Sequence, residues 1–189
     1  MDMNTERPDQ IVALLERIGR LLAVDAHADG LLPVHWETLR YLARANRFSL
    51  TAAALTAYLG LTKGTVSQSL NSLAAKGLVT KQENRNDRRS KRLSLTRKGR
   101  GQLQRDPQAA MAAAISQLDS MSAQQLVTSL EALLTARLAA RGRQPFGQCR
   151  DCRYFARQHP EGGPHYCKLL NEKLAQSDID AICFEQLPA

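Results

Sequence analysis

The chain has 189 residues, 43% hydrophobic but only 5% aromatic, so its core must be built from Leu, Ala, Val and Ile, a composition that leans helical. No apolar run approaches the ~20 residues that a membrane-crossing helix needs, and the acidic, polar start Met1-Asp2-Met3-Asn4-Thr5-Glu6 is unlike a secretory signal, so a cytoplasmic protein with no membrane partner is expected. The net charge is +8 and the excess lies in residues 76–100, where ten Lys/Arg stand against Glu83 and Asp87; charge focused this way points to a polyanion, nucleic acid first.

Residues 8–25 read as an amphipathic helix, with Pro8 in its first turn and Ile11, Leu14, Leu15, Ile18, Leu21 and Leu22 on one face. After Gly30, Pro33 opens a second helix with Trp36, Leu39 and Leu42/Ala43 inward, and residues 46–49 break it. Ser49 is the expected N-cap of a third helix over 50–58, which Gly60 stops. Thr62 then caps a fourth helix with the buried stripe Val66, Leu70 and Leu73, ended by Gly77. The period changes to two in residues 77–81 and 92–96, the expected strands of a hairpin, with Asn84, Asn86 and Asp87 as turn formers between them.

Residues 97–118 turn helical again with an interruption at Pro107, and a capping box over Ser122 to Gln125 is expected to start a last helix marked by Leu126, Leu130, Leu133, Leu134 and Leu138. Residues 142–148 read as a linker, with a domain boundary near 145. The expected fold is therefore mainly α with a small β-hairpin (α+β). A domain over 1–141, its reading head at about 33–100, precedes a cysteine-rich extension over 142–189. The apolar stripes of the first and last helices exceed what the head needs to bury, which points to a subunit interface.

Two helices joined by a tight glycine-containing turn and followed by a basic hairpin describe a winged helix-turn-helix. With Val66, Leu70 and Leu73 inward, the fourth helix presents Gly64, Gln68 and Asn71, flanked by Thr65, Ser67 and Ser72. That face carries no Glu or Lys between Gly64 and Ala75, unlike an ordinary solvated face. Gln and Asn can bond adenine at two points, Ser and Thr can reach bases or phosphates, and a glycine lets the helix N-terminus approach phosphate. The hairpin tip Arg85-Asn86-Asp87-Arg88-Arg89-Ser90-Lys91-Arg92 supplies charge. An Arg there can enter the minor groove, and Asp87 can hold a guanidinium in place.

Three stretches together resemble the multiple-antibiotic-resistance regulator (MarR) family: Gly60-Leu61-Thr62-Lys63-Gly64-Thr65-Val66-Ser67, then Leu73-Ala74-Ala75-Lys76-Gly77-Leu78-Val79, then Asn86-Asp87-Arg88-Arg89 with Leu93-Ser94-Leu95-Thr96-Arg97-Lys98-Gly99. The resemblance implies a homodimer on a pseudo-palindromic double-stranded DNA operator, usually a repressor released by a small-molecule or redox effector. It puts the family's aspartate-any-arginine wing motif on Asp87 and Arg89 and its recognition-helix contacts within 63–71, so the expected DNA-binding residues are Lys63, Gly64, Thr65, Ser67, Gln68, Asn71, Asp87 and Arg89, to which the charge of the tip adds Arg85, Arg88 and Lys91. The family's oxidation-sensing branch uses a cysteine near the first helix. Here no cysteine precedes residue 149, so that mechanism does not carry over in its usual form.

Cys149, Cys152, Cys167 and Cys183 all fall in the last 41 residues, outside the region of resemblance, and suggest a four-thiolate metal site in a compartment that disfavours disulfides. Zinc and a [4Fe–4S] cluster both suit a Cys-x-x-Cys turn: zinc is the more frequent four-cysteine partner, while the two single cysteines fit a cluster as well. His159 or His165 could replace one ligand, and Tyr154, Phe155 and Tyr166 are expected to shield the site. A cluster would make the tail a sensor of redox or iron status; zinc would make it structural or a docking surface. The alternative function is a protein-interaction module on a winged-helix scaffold with a structural zinc tail. An enzyme is not expected, since the chain has no phosphate-binding Gly-rich loop, no His-Glu-x-x-His and no carboxylate pair beside the cysteines.

Overall fold

The computed structural model describes residues 6–84, 87–157 and 165–188, without the side chains of Glu6, Arg7, Asn84 and residues 87–90. Helix α1 (Glu6–Asp25) leaves Ile11, Leu14, Leu15, Ile18 and Leu21 41–59% exposed. Helix α2 (Pro33–Arg44) opens on its proline, and the Leu32 N–H donates to His35 Nδ1 at 3.1 Å, which satisfies one of the free N–H groups at its start. It buries Trp36, Leu39, Tyr41 and Leu42; Ala43, expected inward, is exposed.

Helix α3 (Ala52–Leu59) is capped by Thr51, whose Oγ1 accepts the Ala54 N–H at 3.1 Å, not by Ser49. Ser49 is 1% exposed and committed elsewhere: its Oγ accepts the Phe184 N–H at 2.8 Å and its carbonyl accepts the Tyr41 hydroxyl at 2.7 Å. Gly60 ends α3 at φ 68°, a conformation that costs other residues a Cβ clash. Helix α4 (Lys63–Ala75) starts at Thr62, whose Oγ1 accepts the Thr65 N–H at 3.2 Å. Val66, Leu70 and Leu73 join Trp36, Leu39, Leu55, Leu78 and Leu93 in one core.

Strands β1 (Val79–Asn84) and β2 (Asp87–Leu95) pair antiparallel from Val79↔Leu95 to Glu83↔Lys91, with an irregularity between Glu83 and Asn84. Both run further toward the tip than alternation alone suggests, because rungs such as Gln82↔Arg92 and Glu83↔Lys91 are exposed and carry no apolar period. At the base, the Leu93 N–H donates to the Leu50 carbonyl at 2.8 Å and Thr51 bridges to Arg92, so the turn after α2 acts as a third short strand.

Helix α5 (Arg97–Gln102), a 3₁₀ turn (Leu103–Arg105) and helix α6 (Ala109–Ile115) are separated at Pro107 as expected. Asp106 there accepts from Arg40 at 2.8 Å. Helix α7 (Ser120–Ala139) begins at Asp119 rather than at Ser122: the Asp119 carboxylate accepts the N–H groups of Met121 and Ser122 and the Ser122 hydroxyl, which together hold its pKa down. No residue of α7 is buried.

The tail consists of β3 (Gly147–Gln148), a 3₁₀ turn (Cys149–Asp151), β4 (Phe155–Ala156), β5 (His165–Cys167), β6 (Glu172–Leu174), helix α8 (Gln176–Ile179) and β7 (Ile182–Cys183). Strand β3 pairs with β7, and β4-β5-β6 form a second antiparallel sheet. The stretch read as a linker is packed: Arg143 donates to the Ala57 carbonyl at 2.6 Å, and the Phe146 ring meets Tyr58 edge-on at 5.3 Å and Phe184 at 5.7 Å. No helix among the described residues is long and apolar enough to cross a membrane.

Candidate nucleic-acid interface and cysteine cavity

The inward stripe of α4 fixes what the helix shows to solvent. Lys63, Gly64, Thr65, Ser67, Gln68 and Asn71 are exposed, and Ser72 is half-buried on the flank. The hydroxyls of Thr62 and Thr65 are bonded at 2.9 Å, which tightens the helix start. Asn71 is engaged within the chain, since the Lys81 ammonium of β1 donates to its Oδ1. Part of its expected base-reading capacity is therefore occupied, and the same bond ties the wing's first strand to the reading face. Lys81 has its pKa lowered by partial burial and by the charge of Lys91. Sequence periodicity could not show this cross-link, because it joins a helix to a strand ten residues on.

Exposed cations follow α4 in the chain, on the wing and on α5. Lys76, Lys91, Arg92, Arg97, Lys98 and Arg100 are all exposed. Lys98 Nζ donates to the Lys76 carbonyl at 2.9 Å, placing a cation at the C-terminus of α4, where the helix dipole favours it. Of the expected wing contacts, Lys91 is exposed on β2; Asp87, Arg88 and Arg89 lie on β2 with side chains outside the description, and Arg85 and Asn86 lie outside the described residues.

Residues 29–90 match the model of the MarR family. This stretch resembles a MarR-family domain. Solved structures with the same fold include a MarR transcriptional regulator from Methanosarcina mazei Go1, 25% identical with a TM-score of 0.57 over 71% of this chain and 99% of that one. The S. aureus MepR–DNA complex is 23% identical, with a TM-score of 0.56 over 66% and 95%. The regulator BldR from Sulfolobus solfataricus is 17% identical, with a TM-score of 0.58 over 72% and 99%. More than a quarter of this chain has no counterpart in any of the three. No curated protein matches it in sequence. The fold, mainly helical with a small antiparallel wing, is shared with these solved transcriptional regulators.

Beside the MarR-like domain, Cys149, Cys152, Cys167 and Cys183 line one small cavity, walled by Tyr154, Phe155, Leu169, Leu174 and Glu185. All four are free thiols, with Cys149 and Cys183 buried and Cys152 and Cys167 half-buried. The Cys149 thiol donates to Cys183 and is buried, which pushes its pKa up; the same hydrogen bond holds Cys183 below the ordinary thiol value. Among the described residues, no group of three or more His, Cys, Asp or Glu side chains stands in metal-holding geometry. The sulfurs therefore share a cavity without converging on a bonding centre.

Tyr154 and Phe155 wall the cavity as expected, while Tyr166 bonds Asn171 instead. His165 stacks on Phe155 at 5.2 Å and its Nε2 meets Gln176 Oε1 at 3.3 Å, apart from the cavity wall; His159 lies outside the described residues.

The residues that sequence reasoning missed belong to the turn after α2. Asn46 is 2% exposed: its Oδ1 accepts the N–H groups of Phe48 and Ser49 at 3.1 and 2.9 Å, and its Nδ2 donates to Cys149 Sγ at 3.4 Å. Arg47 pairs with Glu172 at 3.5 Å and with Asp178 at 3.9 Å, and donates to the Lys173 carbonyl. The only signal in the sequence was an unremarkable Asn-Arg-Phe-Ser break between helices.

Proposed function

We propose that this chain is a sequence-specific double-stranded DNA-binding regulator that acts as a homodimer on a pseudo-palindromic operator, with repression as its mode. The observation that carries the reading is the exposed polar face of α4, with the Lys81 ammonium bonded to Asn71 on it and Lys98 bonded at the helix's C-terminal end. Such a face offers short donors and acceptors to base edges, and the flanking cations offer sequence-independent attraction to phosphate. One protein sharing the fold, S. aureus MepR, was solved in complex with DNA.

The dimer has its own support. Ile11, Leu14, Leu15 and Ile18 of α1, and Leu126, Leu130, Leu133 and Leu134 of α7, are each 39–56% exposed, leaving both terminal helices with apolar faces only partly covered among the described residues. Faces of this size are stable in water only when partnered.

The test is selection of duplexes from a random-sequence pool with the full chain, followed by binding measured against salt. The expected outcome is a two-fold symmetric consensus and a log–log salt slope of about −4 or steeper, since each neutralised phosphate contributes about −0.9. Light scattering should give twice the 20.9 kDa chain mass. Recovery of no consensus, with binding indifferent to salt, would overturn the reading in favour of a protein-interaction module.

A further inference from the structure

Four cysteines from three separate stretches of chain line one cavity of the tail: Cys149 and Cys152 at the start and just past the end of the 3₁₀ turn, Cys167 from β5 and Cys183 from β7. Three of the cysteines belong to a small cluster in which Cys149, Leu174 and Cys183 are buried with Phe48, Phe155 and Cys167 packed on them. A core this thin cannot offset the conformational entropy of ordering strands of two or three residues. Small cysteine-rich units commonly solve this by binding a metal, whose binding free energy becomes folding free energy. All four cysteines line one cavity, as a shared centre would require.

The cavity is also wired to the reading head. The Asn46 side chain donates to Cys149 Sγ at 3.4 Å, and the Asn46 N–H donates to the Ile182 carbonyl at 2.9 Å. The Phe184 N–H donates to Ser49 Oγ at 2.8 Å, so Cys183 sits between two anchors into the 45–51 turn. That turn in turn receives the Leu93 N–H of the wing on Leu50 and supplies Thr51, the cap of α3. One hydrogen-bonded segment thus joins Cys149 and the neighbours of Cys183 to the base of the wing and to the first helix of the helix-turn-helix.

We propose that Cys149, Cys152, Cys167 and Cys183 ligate one metal centre, and that its occupancy sets the geometry of the 45–51 turn and thereby the affinity for DNA. The first half stands on the cavity alone; the second rests on the DNA-binding reading above. A set of four thiolates selects a soft or borderline metal, namely zinc or iron in an iron–sulfur cluster.

The test begins with full-length protein purified without oxygen, on which zinc, iron and acid-labile sulfide are measured per chain alongside the visible spectrum. One zinc with no colour, or iron with matching sulfide and a broad visible band, supports the centre and names it. Cys152→Ser and Cys167→Ser, at half-buried positions away from the head's core, should lose the metal while helical circular dichroism is retained. Metal-free protein with four titratable thiols or two disulfides, or variants that keep full metal, would overturn the site.

For the coupling, chelated wild-type protein is compared with the same protein refilled with zinc alone or with ferrous iron and sulfide. Removal is expected to change affinity for the selected duplex by about tenfold, within the usual range of allosteric coupling, and refilling to restore it. Equal affinity with and without metal overturns the coupling. Failure of the metal-loaded chain to bind any duplex overturns the DNA-binding reading and the coupling with it, while the metal stoichiometry still decides the site.

Discussion

Asn46→Ala removes a side chain that is 2% exposed and makes three hydrogen bonds. Ser49 N–H shares its donation with the Asn46 backbone carbonyl at 3.0 Å and so keeps an acceptor, whereas Phe48 N–H has no second acceptor among the described residues. One half-buried donor left unpaired costs about 1–3 kcal/mol. The weakened Ser49 bond and the void left by the amide bring the total to about 2–4 kcal/mol. The assay is urea unfolding at fixed protomer concentration, because a dimer's apparent stability depends on it. As a control, Arg150→Ala, which removes an exposed pair with Asp180, should change stability by less than about 0.5 kcal/mol. A loss for Asn46→Ala no larger than the control's would refute the claim that this turn is an anchoring point.

Gly99→Ala would set a Cβ onto the Leu78 carbonyl oxygen, an atom of the backbone that cannot swing aside. It should lower stability by about 1–3 kcal/mol in a thermal melt, and a neutral result would mean that the joint between α5 and β1 is looser than described. His35 is buried, and burial first and the Lys76 charge second lower its pKa below the ordinary 6.5. Because the unfolded chain then binds the proton more readily, stability should be complete above pH 6.5 and fall as pH drops below it. His35→Gln should remove that part of the pH dependence in unfolding curves taken from pH 7.5 to 5.5, and an unchanged profile would exclude His35 as its source.

The head was legible because its signals are local. Val66, Leu70 and Leu73 repeat at helical spacing, Gly60 and Gly77 mark stops, and Pro107 interrupts where a proline must. Caps were less legible: Ser49 and Thr51, or Asp119 and Ser122, lie so close together that either can serve, and tertiary bonding decides. Ser49 is lost to α3 because Phe184, 135 residues away, takes its hydroxyl. The grouping of cysteines in sequence pointed to a shared site, and the structure places all four on one cavity. Their link to Asn46 spans 103 residues and leaves no periodic trace. The wing tip, where Arg85, Asp87, Arg88 and Arg89 were expected to act, is carried by the sequence alone.

The account turns on α4 as the reading element, and Gln68 tests it most directly. Full-length wild type and Gln68→Ala would be titrated against the selected duplex and against a scrambled duplex of equal length. The expected result is a loss of preference worth about 1–3 kcal/mol in the ratio of the two affinities, with scrambled-duplex binding and its salt slope unchanged. An unchanged ratio, or an equal loss on both duplexes, would contradict the assignment of this face to the major groove.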